Sequence, residues 1–198
     1  AQAQSLAGAA VSQSPRIDTK PPVSRSRRPN NALGRQGPPR PEDLMVEVFE
    51  AMGDLSFVHN SIGAADFVLE LLREKIPTRF SAVHYYDIGR QELVIVQARG
   101  ASVINHRTPE RGSHLEDALR AGRALLLSNL EADTRWSRAL FREAGHSDPK
   151  QIMLAPIRHA RRTLGVIELA DHTDGQPFHD VELDAVSYVG EQLGAFID

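Results

Sequence analysis

The chain has 198 residues, a formal net charge of −3 and no cysteine, which is enough length for one well-packed domain with a tail. Without a thiol, disulfides, thiolate metal sites, thiol nucleophiles and thioether-linked cofactors are excluded. Residues 1 to 40 hold seven basic residues against the single acid Asp18, while residues 41 to 198 hold 16 basic and 25 acidic residues, a net −9 that would repel a phosphate backbone.

The opening stretch carries six prolines and no aromatic residue, the first being Phe49. It cannot bury enough apolar surface to offset its ordering entropy, so residues 1 to 41 are expected to form a disordered basic tail or linker. KPPVSRSRRPNN at its centre could dock on an acidic partner, but it has no aromatic side chain to stack on bases, and a solvated linker is the plainer reading. LAGAAV at 6 to 11 lacks a preceding charged region, so a secretory signal is not expected. No apolar run reaches the roughly 18 to 20 residues of a membrane span, and the expected location is cytoplasmic.

From residue 42 the pattern becomes helical. Leu44, Met45, Val48, Met52 and Leu55 recur at helical spacing over residues 42 to 59, with Glu42 and Asp43 in the first turn, where the helix dipole favours acids. A second helix has Phe67, Val68, Leu71 and Leu72 as its stripe, and Pro77 stops it after Lys75. The period then changes to two: FSAVHYYD (80 to 87) and ELVIVQA (92 to 98) read as strands joined by the hairpin loop IGRQ. Gly100 and Gly112 bracket an irregular loop, Ser113 with Glu116 predicts a capping box for a short helix, and Gly122 is placed to end it.

ALLLS at 124 to 128 is a strand candidate, and residues 133 to 144 read as a helix with Trp136, Leu140 and Phe141 inward. QIMLAPI (151 to 157) and TLGVIELA (163 to 170) read as strands around the basic turn RHARR, and a last helix runs from about His179 to Ile197. Tight hairpins impose antiparallel pairing, and helices at both ends of the chain can cover one face of such a sheet. An α+β fold is predicted.

The helix pair, the YYD strand end, ARG at 98 to 100, IMLAPI, the basic turn, LGVIELAD and the loop to PF before a helix together resemble a GAF domain over residues 42 to 198. The resemblance implies an antiparallel five- or six-stranded sheet, with N- and C-terminal helices on one face and short helices and loops enclosing a pocket on the other. It also implies a non-catalytic role in signalling: sensing a small molecule, holding a chromophore or pairing subunits. Alignment of the motifs with alternate strand positions puts Ala82, His84, Tyr86, Ile152, Leu154, Pro156, Val166 and Glu168 toward the pocket. Val83, Met153, Ile157, Ile167 and Leu169 then face the terminal helices.

Members of this family that bind cyclic nucleotides carry an Asn-Lys pair, then Phe, then Asp-Glu; here His172, Thr173, Phe178 and Glu182 stand in that stretch, so that ligand is not expected. Members that link a bilin through a thioether and members that reduce free methionine sulfoxide require cysteine, so neither activity carries over.

Residues 163 to 184 hold six acids and two histidines. No spacing among them matches a metal-binding template, and acids in a first helical turn with an Asp-Gly turn explain most of them: Asp171, His172, Asp174 and Gly175 are expected in a loop, and Asp180, Glu182 and Asp184 at a helix start. His84 and Glu168 could pair if the first and last strands are neighbours, as a satisfied core pair or as ligand contacts. His114, beside Ser113 at a helix start, could meet an anion through free N–H groups, but Glu116 and Asp117 oppose one. Trp136 could stack on a planar ligand or fill the core.

No nucleophile elbow is present, and no catalytic, cofactor or metal residue is expected. The candidate ligand pocket is therefore His84, Tyr86, His114, Trp136, Leu154, Pro156 and Glu168. The expected partners are an unidentified small molecule, signalling proteins and a second copy through the first and last helices, with no specific nucleic acid and no membrane. The alternative is a pure interaction scaffold whose pocket is filled by its own Tyr86, Leu154 and Trp136.

Overall fold

The computed structural model describes residues 41–136, 138, 142 and 148–198. The tail expected over residues 1 to 41 falls almost wholly outside them, as do Leu140 and Phe141.

Two helices open the described chain, α1 (Pro41–Met52) and α2 (Ser61–Lys75). The single helix expected over 42 to 59 stops early, because Gly53 begins a 3-10 turn, Gly53–Phe57, where helical propensity falls by about 1 kcal/mol. Asn60 caps α2, its side-chain oxygen accepting from Gly63 N at 2.8 Å.

Six antiparallel strands follow: β1 (Thr78–Asp87), β2 (Glu92–Arg99), β3 (Arg107–Pro109), β4 (Leu125–Leu127), β5 (Ile152–His159) and β6 (Arg162–His172). Their spatial order is β3-β2-β1-β6-β5-β4. Between β3 and β4 lies α3 (Leu115–Ala121), and α4 (Asp180–Ile197) ends the fold.

The supposed irregular loop between Gly100 and Gly112 thus contains β3, whose Arg107, Thr108 and Pro109 pair with Val94, Leu93 and Glu92. Having no apolar alternation, it left no strand signature. Asp171 and His172, expected in a loop, belong to the end of β6. The capping box expected at Ser113 is replaced by other bonds: Ser113 Oγ donates to the Glu110 carbonyl (3.1 Å), and the Glu116 carboxylate accepts from Gly112 N (2.9 Å). Gly122 does end α3, with φ +66, a left-handed conformation that glycine adopts without strain.

Two apolar layers sit on opposite faces of the sheet. Val83, Met153, Ala155, Ile157, Ile167 and Leu169 pack with Val48, Leu69, Leu72, Val186, Val189 and Leu193 of α1, α2 and α4. Each such fully buried aliphatic side chain contributes about 1.5–3 kcal/mol. Phe80, Ala82, Ile95, Ile152, Leu154 and Val166 form the other layer, closed by Leu115, Ala118, Leu130 and Trp136. Every strand residue assigned to the helical face lies in the first layer, and Ala82, Ile152, Leu154 and Val166 lie in the second. Alternation along the strands accounts for both.

Candidate functional site

The second layer should be wholly apolar if its only task were packing, yet Glu168, His84 and His114 lie buried on that side of the sheet. Their convergence follows from register. In the β1–β6 ladder Ala82 opposes Glu168 and His84 opposes Val166, so His84 and Glu168 sit diagonally on one face, within reach of long side chains. On its other side β1 pairs irregularly: Val83 opposes Gln97 and His84 opposes Ile95, leaving Val96 as an extra residue. Such bulges bend a strand and re-aim its side chains.

His84 Nε2 lies 2.8 Å from Glu168 Oε2. His114, at the residue before α3, places its Nε2 2.9 Å from Glu168 Oε1. A carboxylate can only accept, so both imidazoles donate through Nε2. Each carboxylate oxygen therefore has one imidazole donor.

Glu168 has 0% exposure. Burial opposes its charge, but the field and hydrogen bond of His114, followed by those of His84, outweigh that penalty and hold the carboxyl well below the ordinary carboxylate range. The far side of each ring is different. Among the described residues, Nδ1 of His84 and Nδ1 of His114 are buried without a hydrogen-bond partner. Leaving such a group unmet costs about 1–3 kcal/mol, a cost that packing of the layer alone does not explain.

Leu154 opposes Glu168 on β5, and Pro156 opposes Val166; both are buried beside the cluster. Pro156 lies beyond the end of β4, which pairs only with Ile152, Met153 and Leu154, so its missing N–H breaks no ladder bond there. Trp136 is buried in the same layer and its Nε1 donates to the Leu130 carbonyl at 2.7 Å. Tyr86 is only partly buried, and its hydroxyl donates to the Glu110 carboxylate. His84, His114, Leu154, Pro156 and Glu168 are thus brought together, Trp136 closes the layer, and Tyr86 packs against the layer with its hydroxyl on Glu110. The His114 side chain meets Glu168. A separation of 54 residues left no local signal of that contact.

A second histidine–carboxylate pair stitches β6 to α4. His172 Nε2 lies 3.1 Å from Glu182, whose Oε2 also accepts from His179 N at 2.8 Å. The ring packs on Phe178 with centroids 4.6 Å apart. The bond to Glu182 outweighs burial and raises the His172 pKa, so the pair's stabilisation is fully present below the usual imidazole value of about 6.5 and fades as pH rises through the higher folded value. His172→Gln should cost up to about 1 kcal/mol at pH 6, and the gap in melting temperature from the parent should shrink by pH 8.5. A gap independent of pH would show that the imidazolium contributes nothing.

Among the described residues, no group of three or more His, Asp or Glu is arranged to hold a metal ion, and no helix is long and apolar enough to cross a membrane.

A family model for the GAF domain matches residues 59–198, whereas no curated protein matches the chain. Among solved structures the chain is similar to the GAF domain from a phosphoenolpyruvate-protein phosphotransferase of Coxiella burnetii, with TM-score 0.69 and 14% identity over 79% of this chain and 93% of that one. It is also similar to free methionine-R-sulfoxide reductase from Neisseria meningitidis in complex with its substrate (TM-score 0.64, 14% identity, 79% and 89% covered). A third similarity is to the chromophore-binding domain of a bacteriophytochrome from R. palustris (TM-score 0.59, 11% identity, 78% and 61% covered). At these identities the structural likeness speaks for the fold, and the family match spans most of the sequence: the chain belongs to the GAF domain family.

Proposed function

We propose that this GAF domain is a non-catalytic, cytoplasmic regulatory module of a bacterial signalling protein, which senses a small molecule beside Glu168 and pairs with a second copy through α1 and α4. The observation that carries the ligand reading is the buried carboxylate with two imidazole Nδ1 atoms left without partners. A layer built only for packing gains nothing from them, because well-packed apolar residues of similar volume are often as stabilising as a buried ion cluster. The pairing reading draws on Val46 and Phe49, 57% and 65% exposed on α1, with Phe49 against Tyr188 of α4 at 5.8 Å between ring centroids. The non-catalytic reading draws on the absence of cysteine, since reduction of free methionine sulfoxide in this family depends on that residue.

A second reading, a scaffold with a self-filled pocket, draws on Leu154 and Trp136, both buried, the latter with its indole N–H satisfied internally. A thermal-shift panel of nucleotides, amino acids, tetrapyrroles and keto acids separates the two. A ligand at about 100 times its Kd stabilises by ~2.7 kcal/mol, roughly 5–10 °C for a domain of this size. A shift of that size, with a dimer by light scattering at tens of micromolar, is the expected result. No shift across the panel supports the scaffold, a monomer counts against the pairing, and turnover lost in His84→Ala or Glu168→Ala would make the domain an enzyme.

A further inference from the structure

At the end of the sheet remote from the β1–β2 hairpin, the start of β1, the start of β5 and the end of β6 lie side by side, because Thr78 opposes His172 and Ile152 opposes Ala170. A cleft of about 300 Å³ opens there, lined by Arg79, Ser128, Lys150, Gln151, Asp171 and the turn at Gly175. It is separate from the Glu168 cluster.

The polar groups around this cleft are not equally committed. Asp171 Oδ1 accepts from the backbone N–H groups of Lys150 and Gln151, both at 2.9 Å. His172 is held by Glu182. Gln151 Oε1 accepts from Phe178 N at 3.0 Å, which leaves its amide NH2 as a donor. Among the described residues, the Arg79 guanidinium and the Lys150 ammonium have no carboxylate partner.

Strand arginines differ in this respect: Arg99 has Asp66 at 2.6 Å and Glu70 at 2.8 Å, Arg107 has Glu92 at 3.1 Å and Asp87 at 3.4 Å, Arg162 has Asp198 at 2.7 Å, and Arg158 donates to the Gly122 carbonyl at 2.8 Å. Asp171 spends one carboxylate oxygen on the backbone, and the donor groups that the cleft leaves to a ligand include two cations, an amide NH2 and the Ser128 hydroxyl. Every one of them can donate a hydrogen bond.

We propose that this cleft binds a small oxyanion, a carboxylate or phosphoryl group, held by the Arg79 guanidinium and the Lys150 ammonium, with the Gln151 amide and the Ser128 hydroxyl as neutral donors. A planar guanidinium meets two oxygens of either group at once, and an ammonium adds a point charge. The volume, at the low end for small-molecule sites, restricts the ligand to the size of inorganic phosphate or a short organic acid. The site is open to solvent, so the expected affinity is millimolar and sensitive to salt.

The test is a titration of the full chain, followed by backbone amide NMR, with inorganic phosphate in one arm and acetate in the other. Chloride holds the ionic strength constant in both. Saturable shifts clustered at Ser128, Lys150, Gln151 and Gly175 are expected in at least one arm, and the arm with the lower Kd identifies the group. In Arg79→Gln/Lys150→Gln the Kd should rise about tenfold or more, while the rest of the spectrum stays unchanged because both side chains are exposed. Shifts that grow linearly without saturating in both arms, or a Kd unaltered in the double variant, would overturn the proposal. Neither result bears on the Glu168 site, whose own test is the ligand panel.

Discussion

Glu168→Ala is expected to destabilise the domain by about 3–5 kcal/mol, a fall in melting temperature of roughly 10 °C or more. The cause is the company it leaves. His84 and His114 are 1% and 2% exposed, and without the carboxylate neither Nε2–H has its acceptor while both Nδ1 atoms already lack partners. Replacing the whole cluster should behave differently: the triple change His84→Leu/Glu168→Leu/His114→Leu removes every buried polar atom together, and is expected to fall within about 1 kcal/mol of the parent or above it. Thermal melts of both variants decide the matter. If the triple variant melts as low as Glu168→Ala, the cluster is a structural necessity and its case as a ligand site weakens.

The pH dependence carries a sign. A carboxyl held below its ordinary range in the folded state contributes stability that is present above the unfolded value, about 4.3, and is lost as pH falls through the folded one. The parent should therefore lose stability progressively below about pH 4.5, beyond what the triple variant loses. Parallel acid limbs for the two proteins would remove the stabilising role assigned to the pair of imidazoles.

The two faces of the sheet were legible because strand alternation is a local property. Alternation within each strand separates Ala82, His84, Val166 and Glu168 from Val83, Ile167 and Leu169, and the family resemblance said which set faces the helices and which the pocket. The His84–Glu168 contact needed one further fact, that β1 and β6 are neighbours, which came from the family resemblance and agrees with the observed order. His114 was placed at a helix start, but its contact with Glu168 depends on how α3 folds back over the sheet, and no short-range pattern encodes that. The turn between β5 and β6 was located, yet both strands run further than expected, since Arg158 and His159 pair with Thr163 and Arg162 despite having no apolar pattern. Polar strand ends are held by ladder bonds, which composition does not register.

Gly190 and Gly194 carry the other large expected effect. They stand four residues apart on α4, hence on one face of the helix, and that face lies against the backbone of β5. A Cβ built on Gly190 would sit 2.6 Å from the Pro156 carbonyl oxygen, and one on Gly194 would overlap the Arg158 carbonyl and lie 2.8 Å from Arg158 N. These obstacles are backbone atoms, so no side-chain rotation can relieve them. Gly194→Ala should therefore exceed the usual 1–3 kcal/mol of an overpacked core, reaching about 3 kcal/mol or more and roughly 6–12 °C, with Gly190→Ala somewhat milder. Helix propensity alone would predict the opposite, since alanine is favoured over glycine in a helix by about 1 kcal/mol. Gly53→Ala is the control, because a Cβ there meets nothing within 4 Å and should be neutral or slightly stabilising. Melting curves that place Gly194→Ala level with Gly53→Ala would mean that α4 can lift from β5 at little cost. A helix that lifts freely would be a poor reporter of anything behind the sheet, so the same measurement tests whether α4 is held tightly enough to carry a signal from the proposed Glu168 site to the second copy proposed to pair with it.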